Sequence, residues 1–296
     1  MEVTGTTPLW VAARVLLNGK VDDFFRLKEK VVDTFDPEDI HDLRVASRRL
    51  REGLALFALC YSPEDITRLT RKVKRVTRYL GEMRNMDEAF LFFSTLTDEL
   101  GNGCRGELEV LTRSFAKGRE TGLKGFKAGL ERSVPPTLRD SYISVVNFPR
   151  LVAPPVSGVD LFAPVSLFAK SALANRLAAV TELVPEASRA GAAAAQHLLR
   201  IAIKHFRYRL EILAFLIGTG FREIHATLKG YQDVLGTMHD LDVFAGIVRE
   251  AGFPAATERL VLGVIAAKRE RLFTAFSGML ATVPFEEIGA RLGSTG

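Results

Sequence analysis

The sequence predicts an all-α protein made of two tandem four-helix bundles. Three observations carry that expectation. Apolar residues recur at helical spacing through most of the 296 residues. No alternating apolar and polar run bounded by hairpin turns competes with them. One basic helical pattern also occurs twice, its copies offset by 156 residues.

The elements follow in order. Segments near 8–18 and 21–34 have helical apolar spacing. Asp36, Pro37 and Glu38 then form a start signal: a capping carboxylate, a first-turn proline and an acid at the positive end of the helix dipole. The helix it opens carries His41 to Arg51 and ends near Cys60. Ser62, Pro63, Glu64 and Asp65 repeat the signal for a helix over Arg68 to Leu80. Gly81 predicts a break, leading through Asn85 and Asp87 into a long segment that ends near Arg132, with Asn85 and Asp240 as caps of the helices that follow them. Six of the twelve prolines fall from Pro135 to Pro164, which predicts no regular helix there and local extended character over Tyr142 to Phe148. Helical spacing resumes near 165–183, 188–217, 221–235 and 241–280. The expected division is a first bundle over 1–134, a proline-rich linker over 135–164 and a second bundle over 165–296.

The duplicated pattern places His41, Arg44, Arg48 and Arg51 in register with His197, Arg200, Lys204 and Arg207. At about 100° per residue these positions lie within roughly an 80° arc, opposite Leu43, Ala46, Leu50 and Leu54 in the first copy. Each copy is a cationic stripe backed by a core stripe. Exposed faces ordinarily mix charge signs, because like charges at i,i+3 or i,i+4 cost a few tenths of a kcal/mol. A duplicated stripe of one sign therefore points to a bound anion that offsets the repulsion. A second repeated element, Leu80, Gly81, Met83 and Asp87 against Leu235, Gly236, Met238 and Asp242, has an offset of 155, so one residue is lost in a connection. Arg14 matches Lys170 at the larger offset and Lys74 matches Lys229 at the smaller one. Asp87 and Asp242 are placed to orient nearby arginines.

Net charge is only +5, but its distribution is uneven. Arg68, Arg71, Lys72, Lys74, Arg75 and Arg78 occur without an acid among them, and Leu69, Val73, Val76 and Leu80 form the opposite face of that helix. Such clustering is the footprint of a polyanion. No uncharged apolar run approaches membrane-spanning length, and Met1, Glu2, Val3 lacks the layout of a secretory signal, so a cytoplasmic location is expected. Cys60 and Cys104 form no CxxC pair, so neither a disulfide framework nor a structural zinc site is expected. No cofactor is expected.

The runs His41 to Arg51 and His197 to Tyr208, with the elements Leu80 to Asp87 and Leu235 to Asp242, resemble the CHAD domain (conserved histidine alpha-helical domain) family over nearly the whole chain. The resemblance implies two four-helix bundles related by a pseudo-two-fold axis, with a basic channel between them that binds inorganic polyphosphate. It also implies association with polyphosphate granules. No enzymatic activity is expected, because no Ser, Cys or Gly-rich phosphate loop is placed to supply an activated nucleophile. The residues expected to bind are His41, Arg44, Arg48, Arg49, Arg51, Arg71, Lys74, Arg78, Arg14, Lys170, His197, Arg200, Lys204, Arg207 and Lys229. Arginine offers a planar fork to two phosphate oxygens and lysine a point charge. The chain departs from the family pattern where Arg84, Asn85 and His239, Asp240 stand before the expected fourth helices, and where His205 replaces the counterpart of Arg49.

Two other readings use the same cations. Nucleic-acid binding would call for base-stacking aromatics among the basic residues, and Tyr208 is the only aromatic expected on either stripe. A metal-dependent phosphohydrolase of the HD type would use His41-Asp42 and His239-Asp240, but Asp42 aligns with Leu198 and no paired ligands at i,i+4 accompany either dyad.

Overall fold

The structure, a computed structural model, describes residues 2–34, 36–151 and 158–293. Among the described residues the regular elements are helices, apart from one isolated antiparallel bridge between Pro8 and Pro164. Pro154 and Pro155 of the expected linker lie outside the described residues.

α1 (Leu9–Thr34) is one helix where two segments were expected. Gly19 costs about 1 kcal/mol relative to alanine in a helix interior, and burial of Leu17, Val21, Phe24 and Phe25 on the inward face offsets that. α2 (Pro37–Leu56) begins as expected: the Asp36 carboxylate accepts from the Glu38 amide at 2.8 Å. Its Leu43, Ala46, Leu50 and Leu54 are buried, as are Leu69, Val73, Val76 and Leu80 of α3 (Pro63–Leu100).

α3 does not break at Gly81. That glycine has no positive φ, and the buried pair Leu80 and Met83 continues the core stripe through it. The break comes at Gly101–Gly103, where Gly101 adopts φ 61°, a conformation open to glycine at little cost. α4 (Arg105–Ser133) follows. Asn85 therefore lies inside α3, and Asp240 inside α9 (Phe221–Glu250), so neither is a helix cap. α9 likewise runs on through Gly236, where a break was expected, and stops at Ala251, just before Gly252 at φ 68°.

The proline-rich stretch contains a helix, α5 (Thr137–Val146), in place of extended chain. Pro135 and Pro136 precede it, where a missing amide hydrogen costs nothing. Leu138, Tyr142 and Val146 are buried at four-residue spacing, and the Tyr142 hydroxyl donates to the Leu69 carbonyl at 2.8 Å. The remaining helices are α6 (Val165–Thr181), α7 (Val184–Ala187), α8 (Ala193–Ile212), α10 (Ala255–Thr282) and α11 (Phe285–Gly293). α11 was not expected from sequence, and it buries Phe285 and Ile288.

The chain divides into two compact units. Unit 1 is Met1–Thr95 with Thr112–Ala169, and unit 2 is Leu96–Leu111 with Lys170–Gly296. In unit 1, α1 packs on α2 and α5, while in unit 2, α9 packs on α8 and α10.

Within unit 1, α3 and α4 meet along a line of glycines. A Cβ on Gly122 would lie 2.9 Å from the Met83 sulfur, and one on Gly129 would lie 2.5 Å from the Tyr79 hydroxyl. The Tyr79 ring stacks on Phe126 with centroids 5.3 Å apart, and its hydroxyl donates to the Gly125 carbonyl at 3.0 Å. A side chain at Gly129 must displace a ring held at two points. Gly81 has nothing within 4 Å of its would-be Cβ. Gly129→Ala should therefore destabilise the protein by about 1–3 kcal/mol, whereas Gly81→Ala should stabilise it by about 0.5–1 kcal/mol. Urea titration of the two variants checks the opposite signs.

Candidate functional site

The basic residues of the two repeats fall on the same helices in each unit. On α2, His41 is exposed, Arg48 and Arg51 are half-buried, and Arg44 is only 8% exposed. On α8, His197, Arg200 and Lys204 are half-buried, and Arg207 has only 12% side-chain exposure. Both stripes therefore lie lower in the surface than a free cationic face would. Partial desolvation lowers the pKa of Arg51, with the neighbouring Arg48 charge as the next cause, and Arg51 Nε is buried without a hydrogen-bond partner among the described residues. Its guanidinium remains charged at neutral pH.

Equivalent contacts hold the stripes in both units. Arg84 on α3 donates to His41 Nδ1 at 3.2 Å. Because arginine can only donate, His41 is held as the neutral tautomer with its proton on Nε2. Glu88 in turn orients Arg84. In unit 2 the position of Arg84 is taken by His239 on α9, whose ring lies 4.1 Å from that of His197. The next repeated contact is an ion pair. Asp87 meets Arg119 of α4 at 2.6 Å, and Asp242 meets Arg269 of α10 at 2.5 Å. Arg269 also donates to the Gln196 side chain at 2.7 Å, which ties the start of α8 to α9 and α10. The expectation that Asp87 and Asp242 orient arginines is met.

All three histidines sit in a field that disfavours imidazolium. Desolvation lowers the His41 pKa first, then the charges of Arg84 and Arg44. Desolvation likewise leads for His197, followed by Arg200 and Lys204. For His239, desolvation, His197 and Arg200 together bring the pKa down to about 4, against a smaller opposing pull from Asp242. In the unliganded protein at neutral pH these rings are hydrogen-bond donors, not cations.

The other expected residues are spread more widely. Arg49 lines a cleft of about 380 Å³ between α1 and α2, with Lys20, Asp23, Arg26, Lys30 and Asp42, and lies apart from the stripe on its own helix. Arg71, Lys74 and Arg78 are exposed on α3. Arg14 is half-buried over the Trp10 ring at 6.0 Å, and Lys170 is exposed on α6. Lys229 is exposed and paired with Asp233 at 2.7 Å. Arg207 is committed to Gln232 at 3.0 Å and to Glu211, which also bonds His225. Tyr208 is not on the stripe: it is 2% exposed, with the Arg207 guanidinium 5.1 Å from its ring centroid. Its helical phase, about 20° from that of His197, would leave it at the edge of the stripe, so burial and not phase withdraws it. Among the described residues no group of three or more His, Cys, Asp and Glu is placed to hold a metal ion.

Arg119, Arg269 and Gln196 were missed from sequence. A signal existed, because Arg119, Glu120 and Phe126 recur as Arg269, Glu270 and Phe276 at an offset of 150, with both phenylalanines fully buried. The offset thus falls along the chain, and no single period reveals the whole repeat.

A duplicated helical unit with a cationic helix in each copy defines the class as an all-α fold built on an internal repeat. The CHAD domain family model matches residues 16–249, and the chain belongs to that family. The crystal structure of the CHAD domain from the plant Ricinus communis is similar at 21% identity with a TM-score of 0.63, covering 99% of this chain and 94% of that one. PptA from Streptomyces chartreusis is similar at 16% identity with a TM-score of 0.70, covering 93% of this chain and all of that one. No curated protein matches. Among the described residues no helix is long and apolar enough to cross a membrane.

The His239 environment gives a signed pH dependence. A histidine whose folded pKa lies near 4, against 6.5 when unfolded, contributes nothing at pH 8, because both states are neutral. As pH falls below 6.5 the unfolded state takes up the proton first, so stability is lost down to about pH 4. His239→Gln should therefore lose less thermal stability than the wild type between pH 7.5 and 5, read as the difference in melting temperature shift.

Proposed function

We propose that this chain binds inorganic polyphosphate through the basic residues of α2 and α8 and does not consume it. The observation that carries the reading is the repetition: two helices present His, Arg, Arg or Lys, and Arg at the same spacing, and an Asp–Arg pair recurs at an equivalent place on the neighbouring helices of each unit. Membership of a family linked to polyphosphate supports it. Polyphosphate is a flexible polyanion with no bases, so recognition reduces to charge and hydrogen-bond donors. Burial of Tyr208 takes away the one aromatic expected on a stripe, which favours a ligand without bases. The neutral imidazoles add N–H donors, and an arriving phosphate would raise their pKa values, making binding take up protons. Both stripes engage the same chain in this proposal, the second contact being intramolecular once the first is made. Association with polyphosphate granules would follow from such binding.

Long-chain polyphosphate should bind the full chain with an affinity that falls at least about tenfold between 50 and 200 mM salt, by analogy with counterion release from other polyanions. Affinity should also rise as pH drops from 7.5 towards 5, because the bound state holds the imidazolium. No orthophosphate should appear, with or without added Mg²⁺ or Mn²⁺. An affinity independent of salt, or metal-dependent phosphate release, would overturn the reading.

Arg48→Ala and Lys204→Ala should each weaken long-chain binding while changing stability by no more than about 0.5 kcal/mol, since neither lies on a core face. With one chain shared by both stripes, Arg48→Glu or Lys204→Glu alone lowers the affinity of the whole protein. Half the capacity at unchanged affinity would instead mean two independent sites.

A further inference from the structure

α3 carries cations that the repeat does not account for. Lys74 recurs as Lys229, but Arg75 and Arg78 correspond to Gly230 and Asp233 of α9, and Arg132 of α4 corresponds to Thr282 of α10. The fold therefore does not require them, and neither does the duplicated stripe. In unit 1, Arg75, Arg78 and Arg132 line one open cleft of about 270 Å³ with Tyr79, Glu82 and Gly129. At the same seam in unit 2 Met279 stands in the place of Gly129, and its methyl lies 3.2 Å from where a Cβ on Gly230 would stand, so an apolar side chain occupies the place of the cations.

The three guanidiniums have much of their donor capacity free. Arg75 makes no hydrogen bond or ion pair among the described residues. Arg78 approaches Glu82 at only 4.0 Å, beyond hydrogen-bond reach. Arg132 spends its Nε on the Ala128 carbonyl at 3.1 Å, which fixes the side chain and leaves its terminal nitrogens to donate. Three arginines against the single lining carboxylate Glu82 leave two positive charges at the cleft. One face of the Tyr79 ring is taken by Phe126 and its hydroxyl by the Gly125 carbonyl, so the cleft offers arginine donors in preference to an aromatic sandwich. An anion with several oxygens and no aromatic part fits this chemistry, and the volume is below the range typical of larger organic ligands.

We propose that the α3/α4 cleft of unit 1 is a separate binding site for a compact inorganic phosphate anion of two or three phosphoryl groups, held by Arg75, Arg78 and Arg132. This site does not depend on the polyphosphate reading of the two stripes.

Calorimetric titration of the full chain with sodium pyrophosphate at low salt tests it, using wild type, Arg75→Gln, Arg75→Gln/Arg132→Gln and the stripe variant Arg48→Ala/Lys204→Ala. One pyrophosphate site should persist in the stripe variant, weaken by about tenfold or more in Arg75→Gln, and weaken further in the double variant, as expected when charge-assisted hydrogen bonds are removed. Pyrophosphate binding that is unchanged in both Arg75 variants, or absent from the stripe variant, overturns the proposal. Should the double variant lose helix content, Arg75→Gln decides alone, because that side chain makes no hydrogen bond or ion pair among the described residues. Long-chain polyphosphate titrated against the same variants should respond to the stripe substitutions and hardly at all to Arg75→Gln. Failure of that second titration with the first intact counts against the stripe reading and leaves the cleft standing.

Discussion

Like charges on one helix face repel, and α2 and α8 hold theirs while the opposite faces are locked into a core. Leu43, Leu50 and Leu54 on α2, and Leu199, Ile203 and Phe206 on α8, are wholly buried, so neither helix can rotate to separate its cations. The repulsion is answered from outside the stripe. Asp87 and Asp242 neutralise Arg119 and Arg269 behind it, and histidines in the stripe stay uncharged.

The two units solve the same problem with different residues. Unit 1 sets a guanidinium against His41 and fixes its tautomer through one hydrogen bond. Unit 2 sets a second imidazole against His197 and relies on desolvation to keep both neutral. In both units acid that protonates the imidazole ends the arrangement, since an imidazolium has no nitrogen left to accept from Arg84. Unit 2 also commits Arg207 to Gln232 and Glu211, so the third cation of its stripe is braced by the fold itself.

Fold class and core faces were legible in the sequence because helical spacing repeats over many residues, and the signals at Asp36 and Pro37 place the start of α2 where it is found. Glycine and proline misled wherever their effect depends on packing. Gly81 and Gly236 sit inside continuous helices since the buried residues on either side hold the backbone helical, while Gly101 and Gly252 end helices because their φ is positive. Pro135 and Pro136 precede α5 and leave it intact, a distinction that lies in the position of a proline relative to the first turn and not in how many there are. In the candidate site, the stripes and the role of Asp87 and Asp242 could be read from spacing. The depth of Arg44 and Tyr208 could not, because it depends on how neighbouring helices pack, and the arginines of α4 and α10 are marked only by a repeat whose offset has fallen to 150.

The glycines of α4 have a consequence for how unit 1 comes apart. Gly118, Gly122, Gly125 and Gly129 make α4 a weak helix in isolation, each lowering its intrinsic helicity by about 1 kcal/mol relative to alanine. What Gly122 and Gly129 gain is a close seat for Met83 and Tyr79 of α3, and Gly118 is in ordinary contact with Met86, while a Cβ on Gly125 would meet nothing. α4 is therefore a conditional helix: the contact that orders it is the same contact that its glycines permit. Opening of that seam and melting of the part of α4 from Gly118 to Gly129 are one event, which makes this stretch and the segment of α3 it seats a cooperative element of local unfolding within unit 1.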